Sequence, residues 1–187
     1  MGVPKSTELK QSSRLRSLLK KFSGNREGSV AIEFSMLTIP FAMLIFAIIE
    51  TCVSFTAQQV IANATDNYAR DIRTNKVKKE DVNVAALKAK ICDNISFLVT
   101  AGCPGLSVDL KTYASFADVP TTIPLLSSGA LNKSGFAAFS GDGQIIHSLR
   151  VFYEWPVMTD FIAAYTSTLP DKKMLLFASS TWQNEPF

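Results

Sequence analysis

The sequence predicts an α+β protein in which a long N-terminal helix crosses a membrane and continues into an extracytoplasmic domain, where an antiparallel sheet packs on one or two helices. Three observations carry this. An apolar run without Lys or Arg lies directly behind a basic N-terminal segment. A helical spacing of apolar residues follows it. After residue 100 the rhythm changes to alternation and short apolar runs. Helices first and strands last is the order of an α+β fold rather than of repeated βα units. The 187 residues exceed the roughly 150 of an ordinary domain by little more than a tail and a membrane segment, so one folded unit is expected.

Residues 1–27 hold Lys5, Lys10, Arg14, Arg16, Lys20, Lys21 and Arg26 against Glu8 and Glu27, which makes the tail more basic than the whole chain with its formal net charge of +3. A basic patch of this kind can bind nucleic acid, but this one abuts an apolar run and lacks the interleaved aromatics of such a surface. Retention of the tail on the cytoplasmic side explains it better, and no nucleic-acid partner is expected. Residues 29–57 read SVAIEFSMLTIPFAMLIFAIIETCVSFTA. At about 1.5 Å per residue the run crosses a hydrocarbon core of about 30 Å. A buried core helix would normally carry a polar face, and residues 36–49 have none apart from Thr38. A secretory signal peptide is the other alternative. The apolar stretch exceeds the roughly 7 to 15 residues of a signal core, and Gln58, Gln59 and more helical pattern stand where a small-residue cleavage site would be. The expected organisation is a basic cytoplasmic leader at 1–28, a transmembrane helix at 29–57 and an extracytoplasmic α+β domain at 58–187. Pro40 lies inside the span, removes one backbone hydrogen bond and is expected to kink the helix.

Beyond the span, Val60, Ala64, Tyr68 and Ile72 recur every four residues among polar neighbours, so the helix is expected to continue into water with one apolar stripe. A basic, polar stretch at 73–79 breaks the pattern. Glu80 and Asp81 then open a second helix, with Val84, Leu87, Ile91, Ile95 and Leu98 as its apolar positions and an end by Gly102. Strands are expected through Leu106, Val108, Leu110 and Thr112, over 145–155 and over 173–182. Turn-rich stretches at 120–124 and 127–142 rule out tight hairpins throughout.

Of the three cysteines, Cys52 falls in the apolar run, leaving Cys92 and Cys103 as an even pair. No Cys-x-x-Cys occurs, and the only histidine, His147, is remote in sequence. In an oxidising compartment this favours a disulfide over a metal site, with two free thiols in a reducing compartment as the alternative. No metal or cofactor is expected. His147, within a strand-like run, reads as a surface or half-buried structural residue. Gly141-Asp142-Gly143 is a turn without the spacing of a calcium loop. Trp155, Trp182, Phe152 and Tyr153 read as sheet core or interface aromatics, and no set of nucleophile, base and metal ligands points to an enzyme. Asn-x-Ser/Thr occurs at Asn63, Asn94 and Asn132, which matters only in a secretory eukaryotic setting.

The most informative residue is Glu33, an acid five positions after Gly28 near the start of the span. An intramembrane carboxylate is costly and marks a functional site by default; the alternative is a hydrated carboxylate at the headgroup level, favoured by the helix N-terminus. Glu50, near the far end of the run, reads as interfacial.

The stretch Gly28-Ser29-Val30-Ala31-Ile32-Glu33-Phe34 resembles the processing site of type IV prepilin-like proteins of the tight adherence (Flp-type) system. The segment EGSVAIEFSMLTIPFAMLIFAIIE is similar to the TadE-like family of minor pilins, as are residues 151–156 and the terminal WQNEPF. The resemblance implies a pilin-like fold, an inner-membrane location with a periplasmic domain, and cleavage after Gly28 by a separate prepilin peptidase that leaves Ser29 as the mature N-terminus. It further implies that Glu33 pairs with the N-terminus of a neighbouring subunit, that other pilins and assembly-platform proteins are partners, and that the protein serves pilus assembly, adhesion or the related secretion apparatus. Phe34 stands where the major pilins of this system carry tyrosine, a departure compatible with a minor pilin. Two alternatives from other classes are an uncleaved single-pass anchored protein whose outer domain binds a partner, and a membrane-anchored hydrolase, for which the sequence offers no acid pair or Ser/His arrangement.

Overall fold

One uninterrupted helix, α1, runs Glu27–Arg73 and contains Pro40. The computed structural model describes residues 27–141 and 144–184. The basic tail through Arg26, Asp142 and Gly143 of the expected turn, and residues 185–187 of the expected C-terminal likeness lie outside the described residues. Two compact units divide the chain between Phe46 and Ala47.

In the first unit most apolar side chains of α1 are exposed, and Val30, Ile32, Leu37, Phe41 and Leu44 each show more than half of their surface. Its hydroxyls are satisfied locally: Ser35 donates to the carbonyl of Ala31 at 2.8 Å and Thr38 to that of Phe34 at 2.7 Å. Such back-bonding lets a hydroxyl sit in apolar surroundings without an external partner. The helix is long and apolar enough, near the N-terminus, to cross a membrane.

In the second unit α1 acquires a buried stripe: Ser54, Ala57, Ile61, Ala64, Thr65, Tyr68, Ala69 and Ile72. The steps of three and four are those of one helix face. The expected stripe is thus present but slightly rotated, since Val60 is only partly buried and Ile61 occupies the core. The helix ends where Asn75 takes a left-handed conformation (φ 56°), which asparagine tolerates better than most residues.

The second helix, α2, spans Val84–Ile95, and its N-cap is Asn83, whose side chain accepts from the amide of Ala86 at 2.8 Å. Glu80 and Asp81, the expected opening residues, lie instead in a 3-10 turn, Lys79–Asp81. The Asn83 cap wins because its oxygen satisfies one of the amides that a helix start leaves open. The helix stops at Ile95, within the expected bound of Gly102 though short of Leu98, and buries Leu87, Ile91 and Ile95. Cys92 is bonded to Cys103, which fastens α2 to the residues just before the sheet.

Three antiparallel strands follow in the order β1 (Leu106–Tyr113), β2 (Ile146–Pro156) and β3 (Lys173–Gln183). Alternation decides their faces. Leu106, Val108 and Leu110 stand opposite Tyr153, Val151 and Leu149, and Val151 and Tyr153 stand opposite Ala178 and Leu176. These residues join the α1 stripe and α2 in one core cluster. The other face carries Asp109, Arg150, Phe152, Glu154 and Phe177 and is partly covered by the loop between β1 and β2, where Phe136 stacks on Phe152 at 5.3 Å between ring centres. Between β2 and β3 lies a short helix that sequence periodicity did not predict, α3 (Asp160–Thr166), burying Ile162 and Ala163. The fold is therefore α+β: a long apolar N-terminal helix leading into a sheet-and-helix domain.

Candidate functional site

The residues singled out for processing and assembly lie together at the head of α1. Gly28 and Ser29 fall in its first turns, and Ser29 Oγ donates to Glu33 Oε1 at 3.0 Å, one turn on. Glu33 is the only charged residue between Ser29 and Ile49. Phe34 is 70% exposed and points away from any core. Hydrolysis of the Gly28–Ser29 bond requires that first turn to open. Gly28 lowers the cost, because glycine in a helix is about 1 kcal/mol less favourable than alanine. Cleavage there would leave an ammonium on Ser29, one turn from the carboxylate that its hydroxyl already contacts.

A second constellation, within the sheet-containing unit, was not foreseen in this form. Glu50 is not a free interfacial acid: its carboxylate accepts from the backbone amide of Met158 at 2.5 Å and from that of Thr159 at 3.2 and 3.3 Å. These amides precede α3, whose own N-cap, Thr159, makes no side-chain cap bond. Below this contact lies a cleft of about 240 Å³, lined mostly by apolar side chains, including Phe55, Trp155, Ile162, Met174 and Leu176. Eight residues beyond Glu50, Gln58 meets the backbone of Phe177 with both halves of its amide. Nε2 donates to the carbonyl at 2.6 Å and Oε1 accepts from the amide at 3.2 Å. A glutamine thereby acts as a fragment of a fourth strand on the β3 edge. No sequence signal distinguished Glu50 and Gln58 from other polar residues at the end of an apolar run.

The remaining candidates are structural. Cys92 and Cys103 are joined with Sγ atoms 2.02 Å apart, and Cys52 is an exposed free cysteine. Just ahead of β1, Gly105 packs so closely that a Cβ there would stand 3.0 Å from the carbonyl oxygen of Glu154. His147 is fully buried rather than surface or half-buried. It shares the inward parity of Leu149 and Val151 and stacks on Trp182 with ring centres 5.5 Å apart. Its Nε2 accepts from the amide of Gly141 at 3.1 Å, so Nδ1 carries the proton and donates to the carbonyl of Ile145 at 3.0 Å. Burial lowers its pKa, with Lys79 acting in the same direction and the Ile145 bond opposing.

On the other sheet face Arg150 Nη2 meets Asp109 Oδ2 at 2.5 Å, and the amide of Ala137 donates to Asp109 Oδ1 at 3.1 Å. Asp109 and Arg150 are cross-strand partners, almost fully buried. Glu154 lies between Lys133 at 2.6 Å and Lys173 at 3.1 Å. Burial pushes its pKa up, but the hydrogen bonds and charges of the two ammoniums outweigh that and leave it lowered. These contacts hold the loop to the sheet.

Residues 28–70 match the family model described as TadE-like protein, the family that the head of α1 resembles. The match takes in Gly28, Ser29, Glu33 and Phe34, the whole apolar run and most of the buried stripe. It covers well under half of the chain and includes neither the strands nor the C-terminal residues. No curated protein and no solved structure matches the chain.

Proposed function

We propose that the chain is a minor pilin, or pseudopilin, of the tight adherence (Flp, type IVb-like) pilus or its related secretion apparatus. On this reading α1 crosses the bacterial inner membrane once, with the basic tail cytoplasmic and the sheet domain periplasmic. A prepilin peptidase removes residues 1–28. The chain acts as substrate and assembly subunit and has no catalysis of its own. The observation that carries the reading is the head of α1: Gly28 and Ser29 in its opening turns, Ser29 bonded to Glu33, and this pair followed by an apolar surface that no described residue of its own unit covers, all within the matched residues.

The physical logic is electrostatic. A carboxylate in hydrocarbon costs several kcal/mol unless paired. In the uncleaved chain Glu33 has a hydroxyl for company; after cleavage the ammonium of Ser29, its own or a neighbour's, supplies a full charge. A neighbour's ammonium can reach Glu33 only at particular staggers between subunits, so the pairing selects how copies and other pilins stack on the assembly platform.

The test is the intact mass of the protein taken from membranes of a host with and without the prepilin peptidase. Loss of residues 1–28 only where the peptidase is present is the expected result. A full-length chain in both hosts rejects the reading and leaves an anchored protein whose outer domain binds a partner. In a Glu33→Ala variant, cleavage is expected to persist while recovery in assembled pili falls.

A further inference from the structure

The outward surface of α3 does not suit water. Met158, just ahead of the helix, and Phe161 and Tyr165 on it are 90%, 67% and 80% exposed, and the rings of Phe161 and Tyr165 meet edge to face with centres 5.5 Å apart. A seven-residue helix that buries Ile162 and Ala163 on one side would ordinarily show polar residues on the other. This one shows its largest apolar side chains. The exposed pair Lys172 and Asp160, 2.7 Å apart, supplies the neighbouring charge.

The place of this patch follows from Glu50. A hydrocarbon core uses up about 20 helical residues, so a span entered near Ser29 is left near Ile49. Glu50 is the next residue and the first carboxylate after Glu33. It is also the residue whose carboxylate holds the amides of Met158 and Thr159. The aromatic surface of α3 is therefore tied to α1 at the level where a span of that length ends. Phe55 of α1, itself 66% exposed, lines the same cleft as Ile162 and Thr166 of α3, so the two helices also meet around one apolar cleft beside the Glu50 contact. Aromatic rings with charged neighbours are what proteins place at the boundary between acyl chains and headgroups.

We propose that α3 is an interfacial foot. It lies in the headgroup layer of the outward-facing leaflet of the membrane that α1 crosses, with Met158, Phe161 and Tyr165 inserted towards the acyl chains and Glu50 fixing its depth. The proposal rests on the reading of α1 as a span.

The test uses the full chain in phospholipid vesicles, with Cys52→Ser removing the free thiol and the Cys92–Cys103 bond kept oxidised. Nitroxides are attached singly through Phe161→Cys and Tyr165→Cys on α3, through Phe116→Cys, and through Leu44→Cys in the apolar run. Phe116 is 59% exposed and follows the end of β1 that pairs with the start of β2, away from the end that leads into α3. All four positions are exposed, so the substitutions leave the core intact. The readout is relaxation by oxygen, which concentrates in the bilayer, relative to a water-soluble nickel chelate. A ratio several-fold higher at 161 and 165 than at 116 is expected. A ratio at 161 and 165 equal to that at 116 overturns the foot while a high ratio at 44 leaves the span standing. Labels at 161 and 165 shielded from both agents and broadened by each other across copies also overturn it, in favour of a contact between subunits. A low ratio at 44 removes the span, and the foot with it.

Discussion

The two parts of α1 on either side of residue 46 are made of the same backbone and differ in what surrounds them. Up to Phe46 the exposed surface of the helix is mainly Val, Ile, Leu, Met and Phe, Glu33 is its one charge from Ser29 on, and Ser35 and Thr38 bond back to carbonyls one turn earlier. From Ala47 the composition turns polar on one side, and a stripe from Ser54 to Ile72 goes into a core. Amphipathicity is thus written only where the helix has a protein surface to face. On the proposed reading the first part faces lipid, which offers no inside to distinguish, and a largely apolar surface suits it.

The contrast predicts that truncations of equal size cost different amounts. Ile61→Ala should destabilise the domain by about 2–5 kcal/mol, as burial of a large aliphatic side chain dictates. Leu44→Ala should leave domain stability nearly unchanged. Urea unfolding in detergent micelles, followed by the fluorescence of Trp155 and Trp182, measures both, and comparable losses would break the comparison. Charge should have the opposite preference. Leu44→Lys is expected to penalise membrane insertion by about 2.5–3.5 kcal/mol, read as a shift of protein from membrane to soluble fractions, whereas Asn67→Lys, on the exposed side of the second part, should not shift it.

A smaller loss tests the contact between α1 and the sheet edge. Gln58→Ala should cost about 1–3 kcal/mol, since it deletes two hydrogen bonds of about 0.5–1.5 kcal/mol each. It should also raise hydrogen exchange at the Phe177 amide. Unchanged exchange there would mean that Gln58 does not hold the edge.

The smallest effect expected is a pH dependence confined to the sheet domain. The pKa of buried His147 lies below its unfolded value of about 6.5, so between those values the unfolded chain binds more protons than the folded one. Its contribution is therefore complete above about pH 6.5 and is lost as pH falls from there towards the folded pKa. Protonated Nε2 would also confront the Gly141 amide it now accepts from. A His147→Gln variant should flatten the fall in the urea midpoint between neutral and mildly acidic pH. An equally steep fall in the variant would assign the dependence to other groups.

The strands were legible almost to their ends because alternation is a strong signal when one face is buried: Leu106, Val108 and Leu110 against Ser107, Asp109 and Lys111 leave one choice of face. The same parity rule, applied from Leu149 and Val151, would have placed His147 inward, where it is. α2 was legible in its Leu87, Ile91, Ile95 spacing but not in its start, since Glu80 and Asp81 have the charge of a first turn and Asn83 has the geometry of a cap. α3 escaped because seven residues hold too little periodicity and because its outward residues are apolar. At the head of α1 the motif could be read directly from Gly28 to Phe34. The partners of Glu50 and Gln58 could not, because they lie more than a hundred residues away and are main-chain groups, which carry no identity in a sequence.

A sheet with open sides is a template on which other chains can be added. Here the middle of each outer strand is occupied by something that cannot be extended. Leu110 of β1 exchanges backbone bonds with Ala137 and Phe139 of a loop, and Phe177 of β3 is closed by the single amide of Gln58. A loop and a side chain have no further edge to offer. Growth of this sheet from copy to copy would have to displace both.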